Sequence, residues 1–261
     1  MQAGAGDILM WAAAGLLFPL TMLPLAALAG GRVRSTTMFV GLVALIVAGS
    51  RLLAHLAADI GPPPLSAGLV TTAALCVALI AAAAYAAGGA AALLARLTPP
   101  IEAFVRAVGR LSIVLVLAMA AIQFSTVILR YVFGMNFIAV QESVTYLHGA
   151  VFMLAGGYAL LTDDHVRVDI FYRDASPRKK ALVDLAGTYL FLLPFCFVGL
   201  WAAAPYVANS WAVREGSVEQ SGIRGVYLLK TLIPIYLALL ALAGLVLASR
   251  AAAILKRGDP A

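Results

Sequence analysis

Arg130 and Glu142 are two charges set in apolar sequence, and they are the residues whose types and spacing could do chemistry. Between them Phe133-Gly134-Met135-Asn136 reads as a turn. On the two helices flanking it the charges would lie roughly 5 Å apart in depth, at 1.5 Å per residue. A carboxylate inside a span can relay a proton, bind an ion or hold a neighbour. One or two turns below the surface, a structural pair or subunit contact comes ahead of an ion or proton site or an unpaired interfacial group. The same side of the second helix carries Tyr146, Gly149, Met153 and Gly156 or Gly157, and small residues in such a row let another backbone approach closely. His148 falls mid-span, His165 in the following loop and His55 near the opposite surface, so no pair of axial haem ligands forms. Arg51 and His55 are four apart and share a helix face, either snorkelling to the interface or facing a cavity. Cys76 and Cys196 sit in apolar runs without a metal-ligand spacing. No GxSxG, HExxH or Walker A pattern occurs, so neither nucleophilic catalysis nor ATP binding is indicated.

The elements that must position these groups are membrane helices. With 63% hydrophobic and 11% charged residues and a mean hydropathy of +0.99, the chain lies outside the range of water-soluble domains. The formal charge of +6 is not laid along an aromatic face, as nucleic-acid binding would require. Seven apolar segments follow in order: 7–30, 36–58, 65–97, 111–132, 137–162, 181–207 and 226–249. The first has Asp7 and no basic residue ahead of it, so it reads as a span, although Ala27-Leu28-Ala29 resembles a cleavage site. In the third, Gly88-Gly89 is the expected weak point. Between Arg96 and Arg110, apolar residues at helical spacing with Pro99-Pro100 at the head predict a short amphipathic helix, with a plain basic loop as the alternative. All 18 Lys and Arg but five (Arg51, Arg130, Arg214, Arg224 and Lys230) fall in stretches read as cytoplasmic. That bias predicts an outer amino terminus and an inner carboxyl terminus. The fold class is therefore all-α, a polytopic membrane protein with about seven transmembrane helices.

Arg130-Tyr131-Val132-Phe133-Gly134, Glu142 with Tyr146, the small-residue row and His165-Val166-Arg167-Val168-Asp169 resemble the small membrane subunit, DctQ type, of tripartite ATP-independent periplasmic (TRAP) transporters. A looser second block, Glu215-Gly216-Ser217 with Ser221-Gly222, Lys230 and Leu232-Ile233-Pro234, is similar to that family's last loop and span. Arg224 stands where members often carry a proline, and Ala243 where many carry a glutamine. The resemblance covers about 100–256 and implies a four-helix core, residues 98–261, preceded by an added three-helix unit, 1–97. It also implies a multi-pass protein of the bacterial inner membrane with no enzymatic activity and no cofactor. Sodium and an organic acid or related solute would be handled by a large DctM-type membrane subunit, and a periplasmic DctP-type protein would deliver the solute. Arg130 and Glu142 are expected to fix the hairpin, with Tyr146, Gly149, Gly156 and Gly157 packing on the large subunit. His165, Arg167, Asp169 and Lys230 take structural or subunit-interface roles. Trp211, Arg214, Glu215 and Arg224 form a candidate surface for the periplasmic partner. The competing readings are a membrane anchor of a redox enzyme complex and a self-contained channel or carrier.

Overall fold

A computed structural model describes residues 16–56, 67–164 and 172–257, and every element in them is helical. The first apolar segment, expected as one span over 7–30, is described only from Leu16, and among its described residues two short helices follow, α1 (Phe18–Thr21) and α2 (Leu23–Leu28). Pro19 and Pro24 each begin a helix, and a proline at that position supplies no N–H to continue the helix before it. Helices α3 (Arg32–Leu56) and α4 (Ala67–Ala87) follow. Gly88 and Gly89, at φ +99° and +122°, then break the chain at the expected place.

Helix α5 (Ala90–Tyr131) differs from expectation. The amphipathic stretch and the fourth apolar segment form one helix of 42 residues, with Pro99 and Pro100 inside it and not at its start. Both prolines are exposed, so the carbonyls they leave unpaired one turn earlier lie at the surface. The true start is set from outside the helix. The Ser35 hydroxyl oxygen accepts the Ala90 N–H at 3.1 Å and donates to the Gly31 carbonyl at 2.6 Å. A Cβ on Gly89 would lie 2.9 Å from that hydroxyl and 3.2 Å from the Gly31 carbonyl oxygen, so Gly89 can approach the Gly30-Gly31 turn this closely only without a side chain. Arg32 adds a hydrogen bond to the Tyr85 carbonyl at 2.5 Å, with its guanidinium 3.9 Å from the Tyr85 ring centre.

Helix α6 (Ile138–Thr162) ends on Asp163 in the left-handed region. Helix α7 (Pro177–Gly187), capped by Ser176, passes through a π turn at Thr188–Leu192 into α8 (Leu193–Ala212), and α9 (Val226–Arg257) completes the described chain. The π turn ends two residues before Pro194, which has no N–H to donate one turn back. With α1–α2 and α7–α8 each taken as one interrupted helix, seven helices are present among the described residues. Four of them are long and apolar enough to cross a membrane: Ala90–Tyr131, Ile138–Thr162, Pro177–Ala212 and Val226–Arg257. Their outer faces are apolar, Phe124 being 67% exposed and Phe191 74%, as lipid-facing surfaces require.

The fold divides into two compact units. One contains the described residues of Glu102–His165 and Phe195–Ala243, and its interior includes Leu200, Val207, Leu237 and Ala241. The other contains the described residues of Met10–Ile101, Val166–Pro194 and Gly244–Ala261. Its core joins Leu23, Ala26, Phe39, Ala84, Leu94 and Leu245, and the Tyr189 hydroxyl donates to the Thr21 carbonyl.

Candidate functional site: a clasped loop and a polar groove

The loop between α8 and α9 is organised by backbone bonds that turn it on itself. Glu215 N–H reaches the Ser210 carbonyl at 3.0 Å, Ser217 N–H the Ile223 carbonyl at 3.0 Å, and Gly222 N–H the Glu219 carbonyl at 3.0 Å. The loop also has a tether from outside itself. Glu142, in the second turn of α6, supplies it. One carboxylate oxygen accepts the Ser217 hydroxyl and the other accepts the Ile223 N–H at 2.6 Å. Ser217 Oγ in turn accepts the Glu219 N–H at 3.0 Å. A Cβ on Gly222 would lie 2.7 Å from the Glu142 carboxylate and would also collide with Ser217, so the clasp closes only over a glycine.

The expected ion pair between Arg130 and Glu142 is absent. Both Glu142 oxygens are engaged by the loop, while Arg130 is exposed near the end of α5 and has no ion pair among the described residues. The depth argument placed the two at similar heights but did not fix which way each helix face turns.

A second fastening ties the loop to α9. Lys230 Nζ donates to the Glu215 carboxylate at 2.5 Å and sits 4.1 Å from the Tyr206 ring centre. Trp211 Nε1 donates to Thr231 Oγ1 at 2.8 Å, and its ring meets Tyr227 edge-on at 4.8 Å. Trp211, Arg214 and Arg224 are exposed, and Arg214 adopts φ +47°, a left-handed turn that few side chains take without cost.

The Lys230 hydrogen bond holds the Glu215 carboxyl below the usual carboxylate range. A depressed folded value means that the contribution to stability is present above the ordinary value of 4.5 and is lost as pH falls through the depressed one. In an infrared or carbon NMR titration, Glu215 should therefore titrate below 4.5, and Lys230→Met should return it toward that value. An unchanged titration in Lys230→Met would remove the ion pair as the cause.

The glycine row was expected to face a partner subunit, and it is instead covered from within the chain. Cβ atoms on Gly149, Gly156 and Gly157 would lie 3.1 Å from Leu229, 2.5 Å from Tyr236 and 3.1 Å from Leu239, all on α9. Tyr146 lies beside Gly225, with its hydroxyl buried and without a hydrogen-bond partner among the described residues. His165, Arg167 and Asp169 lie outside the described residues, as do the side chains of Arg51 and His55. Among the described residues no cluster of His, Cys, Asp and Glu could hold a metal ion.

Residues 119–253 match the family model of the DctQ component of tripartite ATP-independent periplasmic transporters. The chain belongs to this family. No curated protein and no solved structure matches it. It is a small permease component of a TRAP transporter. The family match spans the last third of α5 through most of α9 and leaves α1–α4 outside.

Within the DctQ-matched helices, a groove of about 430 Å³ opens between α5 and α6, lined by Met119, Ala120, Gln123, Val144, Thr145 and His148. Gln123, Thr145 and His148 are all exposed on membrane-spanning helices. Gln123 and Thr145 were not singled out from the sequence. Each is an ordinary residue alone, and only the pairing of α5 with α6 brings them beside His148.

Proposed function

We propose that this DctQ-family chain is the fixed scaffold of its transporter, against which a large DctM-type subunit moves solute. In this reading the large subunit carries the sodium and solute sites, the solute is an organic acid or related compound, and a periplasmic DctP-type protein delivers it. No cofactor is assigned to this chain. The bias of basic residues supports a periplasmic amino terminus and a cytoplasmic carboxyl terminus. The clasp is consistent with that arrangement, because it joins the start of α6 to the α8–α9 loop at one end of the four-helix core.

The observation that carries the scaffold reading is how the charges of the clasped loop are used. Glu142, Glu215 and Lys230 all hold helices and loop together. The exposed polar row Gln123, Thr145 and His148 is the surface best suited to the large subunit, since polar groups at span depth face protein more often than lipid. The test is co-purification from membranes expressing the neighbouring transporter genes. Gln123→Leu with His148→Leu should lower recovery of the large subunit by about tenfold. Organic-acid uptake by vesicles containing this chain alone would overturn the scaffold role, and undiminished recovery would move the docking face elsewhere.

A further inference from the structure

We propose that a second cleft binds the headgroup and upper acyl region of an anionic phospholipid. It lies in the unit that contains the amino-terminal helices, outside the clasp and the polar groove. The cleft has a volume of about 320 Å³, at the small end of ligand pockets. One wall is α5 through Ala91, Leu94, Ala95 and Thr98, the other is α9 through positions 249, 250, 252, 253, 256 and 257, and Ala27 of α2 closes it. Both walls repeat at three and four residues, so each is a single helix face about two turns long, roughly 10 Å.

Alanines at 91, 95, 252 and 253 leave the space between those faces open. Arg250, Lys256 and Arg257 stand at its margin, and no acidic side chain lines it among the described residues. The dipole at the end of α9 and snorkelling to the interface each account for cations there. Neither accounts for an apolar cleft beside them. A slot that accepts methylene groups, with guanidinium and ammonium groups at its mouth, has the chemistry of a diacyl lipid carrying an anionic phosphate headgroup.

The test is native mass spectrometry of the full purified chain after exchange into phosphatidylglycerol or phosphatidylcholine. The unaltered chain should keep one phosphatidylglycerol under conditions that strip phosphatidylcholine. Lys256→Ala with Arg257→Ala should weaken retention roughly thirtyfold, as expected for two juxtamembrane cations. Ala95→Phe keeps every charge and fills the slot from an exposed position, with helix content checked by circular dichroism. It should weaken retention to a similar extent. Equal retention of the two lipids, or full retention in Ala95→Phe, would reduce the feature to general surface attraction and overturn the site. Displacement by inorganic phosphate alone would also overturn it, since the occupant would then be a free anion.

Discussion

Glu142→Ala should open the α8–α9 loop without unfolding the helices around it. The carboxylate makes both of the bonds by which α6 holds the loop, one to the Ser217 hydroxyl and one to the Ile223 N–H. Removing it leaves that N–H without a partner and frees Ser217 Oγ, which also organises the turn through Glu219. Exposed Arg214 and Arg224 stand at the two ends of the loop, so trypsin reads its opening directly. When reclosing outpaces cleavage, the cutting rate follows the open population. A roughly tenfold faster cut in Glu142→Ala is expected from the loss of two charge-assisted bonds. Ser217→Ala removes one of them and should give a smaller increase. Glu142→Gln should fall between, because its amide oxygen can still accept from Ile223 while its NH₂ competes with the Glu219 N–H for Ser217 Oγ. Trypsin cutting all of these at the rate of the unaltered chain would show that the clasp does not hold the loop. Arg130→Ala should leave the rate unchanged, which separates this arrangement from a hairpin held by an Arg130–Glu142 pair.

The contrast between those residues shows which parts of the structure could be read from sequence. Hydropathy is a sum over many positions, so the helical membrane architecture was legible from composition, whereas the break at Gly88-Gly89 and the transporter family were legible from local residue motifs. The internal start of α5 was not, because Pro99-Pro100 is a strong local start signal and was overridden by a tertiary contact from Ser35 to Ala90, 55 residues away. The residue type and depth of Glu142 marked it as partnered. Its partner could not be read, because half of it is a backbone N–H, which every residue but proline carries. Ser217 and Gly222 lay within the recognised second block, but their roles depend on a contact 75 residues distant in sequence. The small-residue row was legible as a packing face, whereas the helix that fills it is decided only by how α6 and α9 pair.

That pairing sets up a prediction in which two glycines of the same helix respond oppositely. Glycine within a helix costs about 0.5–1 kcal/mol relative to alanine, so Gly→Ala on α6 gains that amount wherever the methyl group fits. At Gly149 the nearest obstacle is the Leu229 Cδ1 methyl at 3.1 Å, the end of a flexible side chain that can rotate away. Gly149→Ala should therefore be neutral or slightly stabilising. At Gly157 the new methyl would meet the Leu239 Cβ and carbonyl oxygen, both at 3.1 Å, with the carbonyl carbon at 3.2 Å. Those atoms belong to the α9 backbone or are fixed to it, and Gly157 is buried, so relief requires α6 and α9 to move apart. Overpacking of this kind costs about 1–3 kcal/mol, which exceeds the propensity gain and leaves Gly157→Ala about 1 kcal/mol less stable. Gly157→Leu should be worse by several kcal/mol. Thermal or denaturant unfolding in a single detergent measures all three, and the order Gly149→Ala, Gly157→Ala, Gly157→Leu from most to least stable is the expected result. If Gly157→Leu matched the unaltered chain, the row would have to face away from α9, and the partner-facing role first assigned to it would stand.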